Sequence, residues 1–192
     1  LTVRFEGNNT LYNRSNNGNI AVGAGLIITG EGTLTAECHS DMAEGAIYAK
    51  GNITIDSGNV TVIQDNAYDS GIKASGGDIT ISGAGTTVNV TNSSNRTIQE
   101  YKPYAVEAGG DITVSGGAVL TASQTAANDF QAIVGTVKTD ETGTIVAGKT
   151  ASDAAADLFF IARDLEASAG HLTNKVVLDN VLDKAAIKTA LE

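Results

Sequence analysis

Four carboxylates recur at nearly equal spacing in this 192-residue chain. Asp41 and Glu44 lie in SDMAEG, and Asp65 and Asp69 in DNAYDSG; Asp41 precedes Asp65 by 24 positions and Glu44 precedes Asp69 by 25. A fold of that period would stack the two segments about 4.8 Å apart, the distance between neighbouring strands, and carboxylates so placed repel one another unless a cation sits between them. Ca2+ takes about six to eight oxygens at roughly 2.3–2.6 Å, which Asp, Glu, Asn and backbone carbonyls can supply. The same four residues also read as a solvated acidic edge, since no consecutive ligand loop of the EF-hand type is present.

A second group clusters in NSSNRTIQEYKPY, residues 92–104. The apolar landmarks on either side of this loop, Ile79 and Ile112, are 33 positions apart, against 26 for Ile53 and Ile79, so one repeat carries an insertion of 7. Insertions of this kind emerge on one face of a repeat protein, and that face is often the binding face. Arg96, Gln99, Glu100, Tyr101 and Lys102 lie in it, with Tyr68 on the preceding loop. A tyrosine ring covers the apolar face of a pyranose while amides and charges take its hydroxyls, so these six residues are the candidate sugar contacts. Tyr104 reads instead as closing an apolar gap beneath the long loop.

Catalytic constellations are absent: His39 and His171 are far apart, and no HExxH, CxxC or GxSxG occurs. A calcium-assisted polysaccharide lyase would need a base beside the metal; Arg4, Arg14, Arg96 and Arg163 do not share a strand face with the acidic loops, which leaves Arg96 and Lys102 in the long loop as the open candidates. A hydrolase would need two carboxylates about 5–10 Å apart, and acidic pairs are too common here to discriminate. A formal net charge of −10 disfavours nucleic acid and anionic membrane. No apolar run reaches the roughly 18 residues of a membrane span. The single cysteine excludes an internal disulfide, and Cys38, at period two with Leu34 and Ala36, reads as a small buried hydrophobe.

The elements that must position these groups are visible as a repeat. GAIYAKGNITIDSGNVTV at 45–62 returns as GIKASGGDITISGAGTTVNV at 71–90, aligning Ile47 with Ile72, Ile53 with Ile79 and Val60 with Val88. Each copy holds three runs alternating apolar with polar, the pattern of half-buried strands, and a period near 26 built from such runs is that of a solenoid. Upstream, the spacing sets Val22 and Ala24 beneath Ile47 and Ala49, Ile27 beneath Ile53, and Leu34, Ala36 and Cys38 beneath the Val60 run. Downstream copies contain Val106, Ile112 and Leu120, then a worn fifth copy beginning at Gln131 and closing with Thr144 to Ala147. The expected fold is a right-handed parallel β-helix of about five turns, three short strands per turn, its hand following the rule for parallel crossovers.

Outward residues should form columns: Thr54, Thr80 and Thr113; Thr61, Asn89 and Thr121; Tyr48, Lys73 and Glu107. The strands read Ile-Thr-Ile rather than Thr-x-Thr, which argues against an ice-binding face. Lys73 beside Glu107 reads as an exposed ion pair of little weight. The chain divides into an N-terminal strand and capping loop at 1–19, the β-helix at 20–148 and a C-terminal cap at 149–190. Residues 1–7 are expected as a strand, and the Asn-rich 8–19 as a loop folding Leu11 and Tyr12 over the open end. SDAAADLFFIARDLEASAG, at 152–170, reads as a helix capped by Ser152, with Leu-Phe-Phe-Ile leaving a closing strand open, and a terminal helix follows from Thr173. Opening on Leu1 without Met fits removal of a leader, and Leu191-Glu192 reads as a vector scar.

GIKASGGDITISG and VEAGGDITVSGG resemble the repeat of a bacterial carbohydrate-binding β-helix family, typified by a clostridial cell-surface protein that binds acidic plant polysaccharide. That repeat runs D-G-I-x-A-x-G-D-I-T-I-x-G-G-x-V. Asp69-Ser70-Gly71-Ile72 keeps its start with one insertion, Glu44-Gly45-Ala46-Ile47 replaces Asp with Glu, and later turns replace the acidic pair with Lys102-Pro103-Tyr104 and Asp129-Phe130-Gln131. The resemblance covers residues 20–148. It implies a secreted or cell-surface protein, a monomer or part of a larger adhesin, with calcium in the acidic loops and pectin-like or cellulosic glycan as ligand. On this reading the chain binds polysaccharide without cleaving it. A lyase or hydrolase on the same scaffold and a purely structural stalk are the competing readings.

Overall fold

The computed structural model describes residues 1–14, 18–40, 45–96, 102–126 and 130–149. The expected C-terminal cap therefore lies outside the described residues. Thirteen strands follow one another without a helix among those residues: β1 (Thr2–Asn13), β2 (Ile20–Val22), β3 (Leu26–Cys38), β4 (Ile47–Ala49), β5 (Ile53–Ile55), β6 (Asn59–Gln64), β7 (Ile72–Ala74), β8 (Ile79–Ile81), β9 (Thr87–Asn92), β10 (Val106–Val114), β11 (Val119–Gln124), β12 (Ile133–Thr139) and β13 (Thr144–Lys149).

Every pairing is parallel and joins one coil to the next, which makes the chain an all-β parallel β-helix of about five turns. The repeat gives rise to this register because each run presents its apolar residues to one side. Ile53, Ile79 and Ile112 stack in one column, Ile47, Ile72 and Val106 in a second, and Val60, Val88 and Leu120 in a third, all fully buried. A fully buried Ile or Val contributes about 1.5–3 kcal/mol, so the columns dominate the favourable side of folding, and none exists without the coil above and below it. The three outward columns also stand as the spacing requires: Thr54, Thr80 and Thr113; Thr61, Asn89 and Thr121; Tyr48, Lys73 and Glu107.

The first coil departs from the expected alignment. Ile20, not Val22, pairs with Ile47, and Leu26 and Ile28 stack under Ile53 and Ile55, which sends Ile27 outward under Thr54. A shift of one residue in a strand reverses every side chain, and burial decides it: Leu26 and Ile28 disappear into the core while Ile27 stays 42% exposed. The N-terminal segment also differs. Residues 8–13 are not a folded-back loop but continue β1 in unbroken register along the whole of β3. Phe5 enters the core because Gly30 lies directly above it and Gly58 one coil further on; a Cβ at Gly58 would come 2.5 Å from the Phe5 ring.

A fourth internal column is polar. Asn13, Cys38, Gln64, Asn92 and Gln124 stack at the ends of β1, β3, β6, β9 and β11. Gln64 Oε1 accepts the Ala46 N–H at 2.8 Å while its amide donates to the Asp69 carbonyl. Asn92 Nδ2 donates to the Tyr104 carbonyl at 2.8 Å and Oδ1 accepts the Ser94 N–H at 2.9 Å. Gln124 donates to the Pro103 carbonyl and accepts the Ala126 N–H at 2.9 Å. These fully buried amides tie the loop after each third strand to the start of a neighbouring coil.

Candidate functional site

The loops so tied run from β6 to β7, β9 to β10 and β11 to β12, along one edge of the prism. Ser94 Oγ donates to the Ala67 carbonyl of the preceding loop at 2.5 Å, which holds the first two loops together. Arg96 thereby meets Tyr68: its guanidinium carbon is 5.5 Å from the ring centroid and Nη1 is 3.3 Å from the hydroxyl. Further along, Lys102 Nζ lies 5.8 Å from the centroid of Phe130, and Tyr104 meets that ring edge-on at 6.0 Å. Of the six candidate sugar contacts, Tyr68 and Arg96 are in direct contact, and Lys102 lies on the same edge. Gln99, Glu100 and Tyr101 lie outside the described residues.

On the same edge the Lys73–Glu107 pair that the spacing set side by side is joined by Asp69 and Ser70. Lys73 Nζ lies 2.8 Å from Asp69 Oδ1, 3.1 Å from Asp69 Oδ2 and 3.2 Å from Glu107 Oε1. Ser70 holds the two acids in place, its N–H donating to Asp69 Oδ1 at 2.8 Å and its hydroxyl to Glu107 Oε2 at 2.5 Å. The side chains of Asp69, Lys73 and Glu107 are only 5%, 14% and 23% exposed. The Lys73–Glu107 contact is therefore not an exposed ion pair: Asp69 folds in from the loop and shields it. Burial pushes the Asp69 carboxyl above its usual range despite the Lys73 contact and the Ser70 N–H, and Glu107 adds to the rise. Burial pulls the Lys73 ammonium down, but Asp69 and Glu107 outweigh it and leave it raised. Both shifts favour retained protons, as expected where two carboxylates face one ammonium away from water. Burial, then the Glu107 charge, likewise raises the Tyr104 phenol.

Asp65 stands in different company. Its Oδ1 is 2.8 Å from His39 Nδ1, with Glu37 3.7 Å from the other ring nitrogen. Tyr12 lies against the His39 ring at 5.1 Å, and Arg14 Nε donates to the Tyr12 hydroxyl at 2.7 Å. Asp41 and Glu44 lie outside the described residues. Among the described residues no group of three His, Cys, Asp or Glu side chains is placed to hold a metal. Asp69 is occupied here by the Lys73 ammonium and the Ser70 N–H. Cys38 is fully buried, and burial raises its thiol, as suits a small core residue.

The chain matches no family model, no curated protein and no solved structure. The edge is therefore read from its own geometry. The spacing paired Lys73 with Glu107 but read them as an exposed ion pair; Ser70 and the link to Asp69 were missed, although Lys73 follows Asp69 by four positions. The buried amides could have been found as polar residues falling on the apolar phase of β6, β9 and β11.

Proposed function

We propose that this β-helix is a non-catalytic carbohydrate-binding module for acidic polysaccharide, acting outside the cell or at its surface. One observation carries the reading: in a chain with formal charge −10, the loop edge places Arg96 against Tyr68 and Lys102 against Phe130. Rings offer flat apolar area to a sugar, and the guanidinium and ammonium beside them suit a uronate carboxylate. A neutral glycan would use the rings and leave the cations idle. The reading needs no calcium, because the basic side chains supply the positive charge.

Affinity electrophoresis through gels containing polygalacturonate or a neutral galactan, with calcium or with EDTA, tests this. Retardation is expected on the acidic polymer in both conditions, and Tyr68→Ala or Arg96→Ala should weaken it roughly tenfold, about 1.4 kcal/mol. Absence of retardation on both polymers would leave the structural-stalk reading in its place. Release of reducing ends or unsaturated products would replace binding with catalysis.

A further inference from the structure

The cluster at the base of this edge holds the components of a condensation reaction. We propose that Lys73 and Asp69 join in an intramolecular amide bond, with Glu107 carrying the proton. The inference is independent of the glycan reading. An amine in contact with both oxygens of a carboxyl group lies within about 3–3.5 Å of its carbon, the separation of a near-attack arrangement. The pair is shut away from water, so the product is not readily returned by hydrolysis, and Asp69 is held by its neighbours rather than free to swing out.

The atoms balance without any external reagent. Nζ passes one proton to the Asp69 carboxylate, giving a neutral amine and a carboxylic acid; the raised Lys73 ammonium opposes this step, while burial, which raises the Asp69 carboxyl, favours the exchange of two charges for none. Rotation of the carboxyl about χ2 turns its face to Nζ, whose lone pair forms the bond to Cγ. Glu107 Oε1, 3.2 Å away, takes a second proton from nitrogen and hands it to the departing hydroxyl, so that water leaves as the Cγ–O bond breaks. Glu107 returns to the carboxylate, and Ser70 keeps it aimed throughout. Removing one ammonium and one carboxylate leaves Glu107 as the sole charge of the three, still bonded to the Ser70 hydroxyl.

Intact-mass measurement of the purified, denatured protein tests the proposal. The expected mass is lower than that of the sequence by one water, about 18 Da. Trypsin should fail to cut after Lys73, so residues 51–96 appear as one peptide bearing the loss, with fragment ions placing the link between positions 69 and 73. Glu107→Gln should restore the full mass and the cleavage. Lys73→Arg, which keeps the charge and cannot make this bond, should do the same and serves should the first variant fail to fold. An unreduced wild-type mass overturns the proposal. So does a loss of water with cleavage after Lys73 intact, which marks a succinimide at Asp69–Ser70, or fragment ions that place the link on Glu107.

Discussion

Two columns run through this prism and are filled by opposite means. Ile53, Ile79 and Ile112 stack in one, Gln64, Asn92 and Gln124 in the other, and all six are fully buried in the same parallel register. The isoleucines hold coil to coil by contact that has no preferred direction. Each amide instead satisfies named backbone groups, among them the Asp69 carbonyl, the Ser94 N–H and the Tyr104 carbonyl of the loops bearing Tyr68, Arg96 and Tyr104. The apolar column supports the wall, whereas the amide column fixes what the wall displays.

The comparison is most exposed to Asn92→Leu, which matches the size of the side chain while removing the acceptor of the Ser94 N–H and one of the two donors to the Tyr104 carbonyl, which keeps the Gly71 N–H. A buried group that loses its partner costs roughly 1–3 kcal/mol, so a loss of about 2 kcal/mol is expected as a lower urea midpoint. Retardation on polygalacturonate should fall with it, since Arg96 and Tyr104 lose their anchor. Ile79→Val removes one methylene from the isoleucine column and should cost about 1 kcal/mol with glycan retention unchanged. Equal effects of the two changes on retention would break the division of labour between the columns.

The coils were legible because period-two alternation and a repeat near 26 residues leave few ways to bury Ile47, Ile53, Val60 and their copies. The first coil was misaligned because AVGAGLII offers apolar residues on both phases; only stacking under Ile53 and Ile55 chooses Leu26 and Ile28 over Ile27. Continuation of β1 through the Asn-rich stretch was hidden for a related reason. Asn9 and Asn13 read as loop formers, yet β3 offers an unbroken parallel partner that overrides local preference. The insertion drew attention to Arg96 and the loop before it to Tyr68, and these two side chains are in contact. The spacing of Asp41 to Asp65 and of Glu44 to Asp69 suggested cations between coils, but it could not show the contacts of Asp65 with His39 and of Asp69 with Lys73. Those contacts depend on how a loop folds back on its own strand, which periodicity does not encode.

The smallest expected effect concerns a carboxylate that does at the surface what the amides do inside. Asp140 Oδ2 accepts the Gly116 N–H of the preceding coil at 3.0 Å, while Oδ1 accepts the N–H groups of Thr142 and Gly143 at 2.8 and 2.7 Å and the Thr142 hydroxyl at 2.8 Å. These donors, led by the Gly116 N–H, hold its carboxyl far below the usual range. A carboxyl with a depressed folded pKa contributes stability that is present above its unfolded value, near 3.8, and is lost as pH falls toward the folded one. Hydrogen exchange at the amides of Gly116, Thr142 and Gly143 should therefore stay slow at neutral pH, after correction for the intrinsic rate, and lose protection below about pH 3.8. Asp140→Ala should expose the same three amides at every pH while leaving those bonded to Gln64 and Asn92 protected. Because water can replace each lost partner at this corner, the effect should remain local. Exposure spreading to the amide column would mean that surface and interior caps are one cooperative unit rather than two.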